Sequence, residues 1–68
     1  MVEVFKTDVT SETEADMLLA VLQKKYPEAR INFDLQDCDR ILRIKGTVST
    51  KDVVDILISK GYFCEELN

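Results

Sequence analysis

Six segments with apolar side chains at strand or helix spacing follow one another in the order strand-helix-strand-strand-helix-strand. Capping signatures at Ser11-x-x-Glu14 and Ser49-x-x-Asp52 mark where helical spacing begins, and Asp37-Cys38-Asp39 marks a turn between two strands. Together these predict an α+β chain of the split βαβ, ferredoxin-like pattern. Right-handed crossovers then place the first and third strands centrally, giving a four-stranded antiparallel sheet of order 4-1-3-2 with two helices on one face. At 68 residues the chain is read as a single domain over 1–68. A chain of this size buries only about 60% of the surface its unfolded form exposes, so each core residue counts.

Val2-Glu3-Val4-Phe5-Lys6 alternates and reads as the first strand. From about Thr13 to Tyr26, Ala15, Leu18, Leu19, Leu22 and Tyr26 fall on one face of a helix. Pro27 ends it by disfavouring helical geometry in the preceding residue. Ile31, Phe33 and Leu35 alternate with polar neighbours in a half-buried second strand. Ile41 to Lys45 returns as the third strand, with Leu42 and Ile44 on one side and Ile41, Arg43 and Lys45 on the other. Ser49 opens a second helix carried by Val53, Ile56 and Leu57, and Gly61 stands where a helix C-terminal glycine belongs. Tyr62-Phe63-Cys64-Glu65 reads as the last strand.

Composition removes several classes of function. Thirteen acidic against nine basic residues give a net charge of −4, which does not attract a polyanion, so no nucleic-acid partner is expected. No apolar run approaches the roughly 20 residues needed to span a bilayer, and no charged-then-apolar export pattern opens the chain. A cytoplasmic location without membrane association is the default expectation. The chain has no His, hence no Ser-His or Cys-His pair, and no Gly-rich phosphate loop. It reads as a non-enzymatic protein without a cofactor.

The short first strand, the Val9-Thr10 step into the helix, the Lys60-Gly61-Tyr62 turn and the overall length resemble the heavy-metal-associated domain. That family includes small copper chaperones and the N-terminal modules of metal-pumping ATPases. The resemblance covers nearly the whole chain and implies the same fold. In that family a Met-x-Cys-x-x-Cys loop binds a soft metal through two thiolates, and an aromatic or Lys side chain tunes the site. Here Val9 takes the Met place, Ser11 and Glu14 take the two Cys places, and Tyr62 takes the aromatic place. A hydroxyl and a carboxylate are poor ligands for monovalent copper. The implied metal activity therefore does not carry over at Ser11 and Glu14, and no metal is assigned.

Ser11-x-x-Glu14 has its own explanation as a capping box, each side chain satisfying an orphan backbone N–H. Glu12, Glu14, Asp16, Asp8, Asp37 and Asp39 are expected at one end of the fold, as a solvated acidic pole rather than a hard-cation site. Cys38 and Cys64 are the alternative thiol sites for a metal-trafficking reading. The expected strand order puts them on opposite sides of the sheet, too far apart to share a metal or a disulfide. Cys64 reads as a small core hydrophobe, and Cys38, between two carboxylates at a tip, as a poor nucleophile. A metal shared through Cys38 across a dimer is the remaining form of that alternative.

One feature favours binding. If Val2, Val4, Ile31, Phe33, Leu35, Leu42 and Ile44 point to the helices, then Phe5, Ile41 and Phe63 point outward on adjacent strands. Edged by Lys6, Arg43 and Lys45, they would form one apolar contact face. The expectation is an interaction module that docks a protein partner, or a second copy of itself, through Phe5, Ile41, Arg43 and Phe63 or through the acidic pole.

Overall fold

A computed structural model describes residues 1–67. Its elements are β1 (Val2–Thr7), α1 (Glu12–Lys25), β2 (Arg30–Asp34), β3 (Ile41–Lys45), α2 (Thr50–Ser59) and β4 (Cys64–Leu67). The four strands form one antiparallel sheet in the order β2-β3-β1-β4, and the fold is ferredoxin-like.

Both helices start where a serine hydroxyl takes over an orphan amide. Ser11 accepts from the Glu14 N–H at 3.2 Å and Ser49 from the Asp52 N–H at 3.3 Å. α1 buries Ala15, Leu18 and Leu22, and α2 buries Val53 and Leu57. Against them the sheet sets Phe5, Leu42, Ile44 and Cys64 in one core with Val9 and Ala29. Tyr26 caps α1 ahead of Pro27, its N–H donating to the Leu22 carbonyl. Gly61 follows α2 with a φ of +93°, in the left-handed region that a glycine enters freely.

Two expectations are corrected. The last strand runs from Cys64 to Leu67, so Tyr62 and Phe63 belong to the loop before it. The first strand faces the other way. Phe5 pairs with Leu42 and is fully buried, whereas Val2, Val4 and Lys6 lie on the uncovered side. The inward set Glu3, Phe5 and Thr7 contains fewer apolar residues than Val2, Val4 and Lys6, yet it wins for three reasons. Phe5 occupies mid-strand, where its large ring removes most apolar surface from water. Glu3, nearer the start of the strand, stays partly exposed. Thr7 is buried but satisfied, donating its hydroxyl to the Arg40 carbonyl and accepting from the Val9 N–H at 3.2 Å.

Candidate functional site

Three places follow from the sequence: the loop before α1, the two cysteines, and the uncovered side of the sheet. In the first, Glu14 draws three hydroxyls together. Its carboxylate accepts from the Ser11 hydroxyl at 3.0 Å, the Thr10 hydroxyl at 3.3 Å and the Tyr62 hydroxyl at 2.7 Å. The capping box is therefore half of what its pattern predicts. The serine caps the Glu14 amide, while the glutamate turns to hydroxyls on its own loop and on the loop before β4. The phenol of Tyr62, then Ser11, holds the Glu14 carboxyl below its ordinary 4.5. The same hydrogen bond, with lesser help from burial, raises the Tyr62 phenol above its ordinary 10.0. A second tie joins the same loops, the Phe63 N–H donating to Asp8 Oδ1 at 2.9 Å. Ser11, Glu14 and Tyr62 thus come together in space and spend their hydrogen bonds on each other. The arrangement can tie two loops together, but it offers no thiolate to a soft metal.

Both cysteines are free. Cys64 is buried on the helix side of the sheet opposite Thr7, and burial pushes its thiol up to about 11, so it stays protonated and packs as a hydrophobe. Cys38 is exposed in the β2–β3 turn, where its sulfur, with Asp37 and Asp39, offers ligand atoms within 4.8 Å of one another. Turn geometry accounts for that closeness: Asp37 Oδ1 accepts from the Asp39 N–H at 2.8 Å, the bond of an Asx turn. Asp39 also pairs with Lys6 at 3.6 Å.

The third place is an entire sheet face without a layer over it. Strand register sorts its side chains into rows. Arg30, Lys45 and Val2 make one row; Asn32, Arg43, Val4 and Leu67 make the next; Asp34 and Ile41 lie in the third, where Lys6 pairs with Glu65. Of the residues expected to form a contact face, Phe5 is not there, since it is buried in the core. Ile41 belongs to this side by alternation with Leu42 but is only 6% exposed, so it offers little surface. Arg43 stands exposed at the centre of the face. Phe63 is 48% exposed in the loop before β4, outside the sheet ladder. The three do not merge into an aromatic patch. In its place are Val2, Val4 and Leu67 on β1 and β4, beside Arg30, Arg43 and Lys45 on β2 and β3. Arg30 is absent from the expected contact face, although it alternates with Ile31 in the second strand. Its signal was available: the alternation that turns Ile31 and Phe33 inward turns Arg30 and Asn32 outward.

Two surface clefts lie outside these three places. The larger, about 360 Å3, lies around Tyr26, Pro27, Ala29 and Thr47, with Lys25 and Glu28 its charged side chains. The smaller, about 140 Å3, lies between α1 and the end of α2, lined by Met17, Leu18, Val21, Lys60 and Tyr62. Among the described residues no helix is long and apolar enough to cross a membrane. Comparison with family models, with curated proteins and with solved structures returns no match to this chain.

Proposed function

We propose that this chain is a non-enzymatic interaction module, related in design to heavy-metal-associated domains, that docks a protein partner through its uncovered sheet face. The observation that carries the reading is that face itself: exposed cations beside exposed aliphatic side chains, with the helices on the other side. The loop before α1 supports the non-metal half of the reading. Where a carrier would place two thiolates, Ser11 and Glu14 are hydrogen-bonded to each other and to Tyr62. The acidic pole is the weaker docking surface, because several of its carboxylates are occupied. Asp8 holds the Phe63 amide, Asp37 holds the Asp39 amide, Asp39 meets Lys6, and Glu14 meets three hydroxyls.

Affinity capture with paired variants tests this. Arg43→Glu with Lys45→Glu alters the sheet face, and Lys24→Glu with Lys51→Glu makes the same charge change on the helices. The face variant should lose the proteins that the wild type and the helix variant both retain. Retention by the face variant, with loss by the helix variant, would move the docking surface to the other side.

A further inference from the structure

Resting on the docking reading, we infer that the sheet face takes an acidic, partly apolar segment of another protein, and that it does not pair with its own copy. The inference comes from how charge is distributed. The chain carries a net −4, yet its uncovered face holds Lys6, Arg30, Arg43 and Lys45 against Asp34 and Glu65. Lys6 is neutralised locally, with Asp39 at 3.6 Å and Glu65 opposite it in the ladder. Asp34 and Glu65 lie in the same row as Lys6. Arg30, Arg43 and Lys45 occupy the other two rows, and among the described residues none of them makes a salt bridge. Among the described residues, three cations without a salt-bridge partner therefore stand together at one end of a face in an otherwise acidic molecule.

Register places an apolar strip beside them. Lys45 is flanked by Arg30 on one side and Val2 on the other, and Arg43 by Asn32 and Val4, with Leu67 beyond Val4. Val2 is 53% and Leu67 36% exposed. Adjacent strands lie about 4.8 Å apart, so a bound chain would meet cations on β2 and β3 and aliphatic side chains on β1 and β4 within about 15 Å. Carboxylates on one edge of a segment and apolar side chains on the other complement that division.

Self-pairing is disfavoured on two counts. A two-fold dimer through this face would set the same patch against itself and gather the three cations of both copies in one interface. The face is also small: strands of this length cover roughly 15 by 20 Å, well under the ~800 Å2 that each partner contributes to a standard interface. A single segment fits such an area better than a second globule. A single-stranded nucleic acid would supply anionic charge, but sheet faces that bind it stack bases on aromatic rings, and the rows here carry none.

The test is an amide-resolved NMR titration of the intact chain with three probes: a synthetic Glu/Leu peptide, the same peptide with Gln for Glu, and a single-stranded oligonucleotide. The expected result is shifts at Arg30–Asn32 and Arg43–Lys45 with the Glu peptide alone, weakening as salt is raised. Arg43→Glu with Lys45→Glu, its spectrum showing an intact fold, should bind that peptide at least about tenfold more weakly. Equal binding of the Gln peptide at these residues would overturn the acidic specificity while leaving a docking face in place. Preferential binding of the oligonucleotide would overturn the choice of partner. No perturbation of the face by any probe, with shifts elsewhere or none, would remove the docking reading as well.

Discussion

Phe5 shows how much one side chain decides in a chain this short. A 68-residue protein has roughly 3–10 kcal/mol of stability to lose, and truncating a buried Phe costs about 3–5 kcal/mol. Phe5→Ala should therefore remove a large share of that stability and lower the midpoint of a denaturant titration; an unchanged midpoint would mean the ring is not in the core. Phe5→Asp would bury a charge and so report on folding, not on docking. Tyr62 carries a different prediction. Its hydroxyl stabilises the ionised Glu14, whose folded carboxyl lies below the unfolded 4.5. That contribution is present above the unfolded value and is lost as pH falls through the lower folded value. Tyr62→Phe should lower Tm at neutral pH, and its gap from the wild type should shrink as the solution is acidified below about 4.5. A gap independent of pH would mean that the phenol acts by packing alone. At high pH the raised phenol works the other way: stability is full below the ordinary 10.0 and falls as pH passes the higher folded value.

At the scale of elements, much of the architecture was legible because it rests on patterns with unique readings. Ser11 and Ser49 open helices whose apolar spacing is plain, and Pro27 ends the first soon after it can. Ile31 with Ile44, and Phe33 with Leu42, share a face in the register their alternation implies. The apolar count of the first strand points the wrong way because Val2 and Val4 outnumber Phe5, whereas the buried Thr7 is satisfied by the Arg40 carbonyl and the Val9 amide. That slip of one residue reversed the whole strand, so the candidate contact face lost Phe5 and gained Val2 and Val4. β4 was placed two residues early because Tyr62 and Phe63 are good strand formers, while the bond from the Phe63 amide to Asp8 holds that amide outside the ladder. The loop after β3 carries a sharper constraint. Gly46 has a φ of +144°, and a Cβ there would lie 3.2 Å from both Cα and Cβ of Ala29. Gly46→Ala should destabilise by more than about 1 kcal/mol, lowering Tm by at least about 4 °C. An unchanged Tm would show that β2 and the loop can separate freely.

Across the whole molecule, charge and layering point the same way. Helices cover one side of the sheet with α1 and α2, and the side they leave open holds cations that an acidic chain would otherwise be expected to neutralise. Net charge alone hid this, since −4 describes the sum and not the face. In the loop before α1, the Ser11 hydroxyl and the Glu14 carboxylate spend their hydrogen bonds on each other and on Tyr62 and offer no thiolate. Native mass spectrometry of the reduced protein with one equivalent of copper(I) and a modest chelator should accordingly return the metal-free mass. A stoichiometric adduct abolished by Cys38→Ser would revive the carrier alternative. The most direct measurement of the docking claim itself is site-specific photo-crosslinking. A photoreactive side chain at Arg43, on the open face, is compared with one at Lys51, on α2, each exposed to the protein's native extract. Discrete adducts from position 43 that are absent from position 51 are the predicted result; adducts confined to position 51 would contradict it.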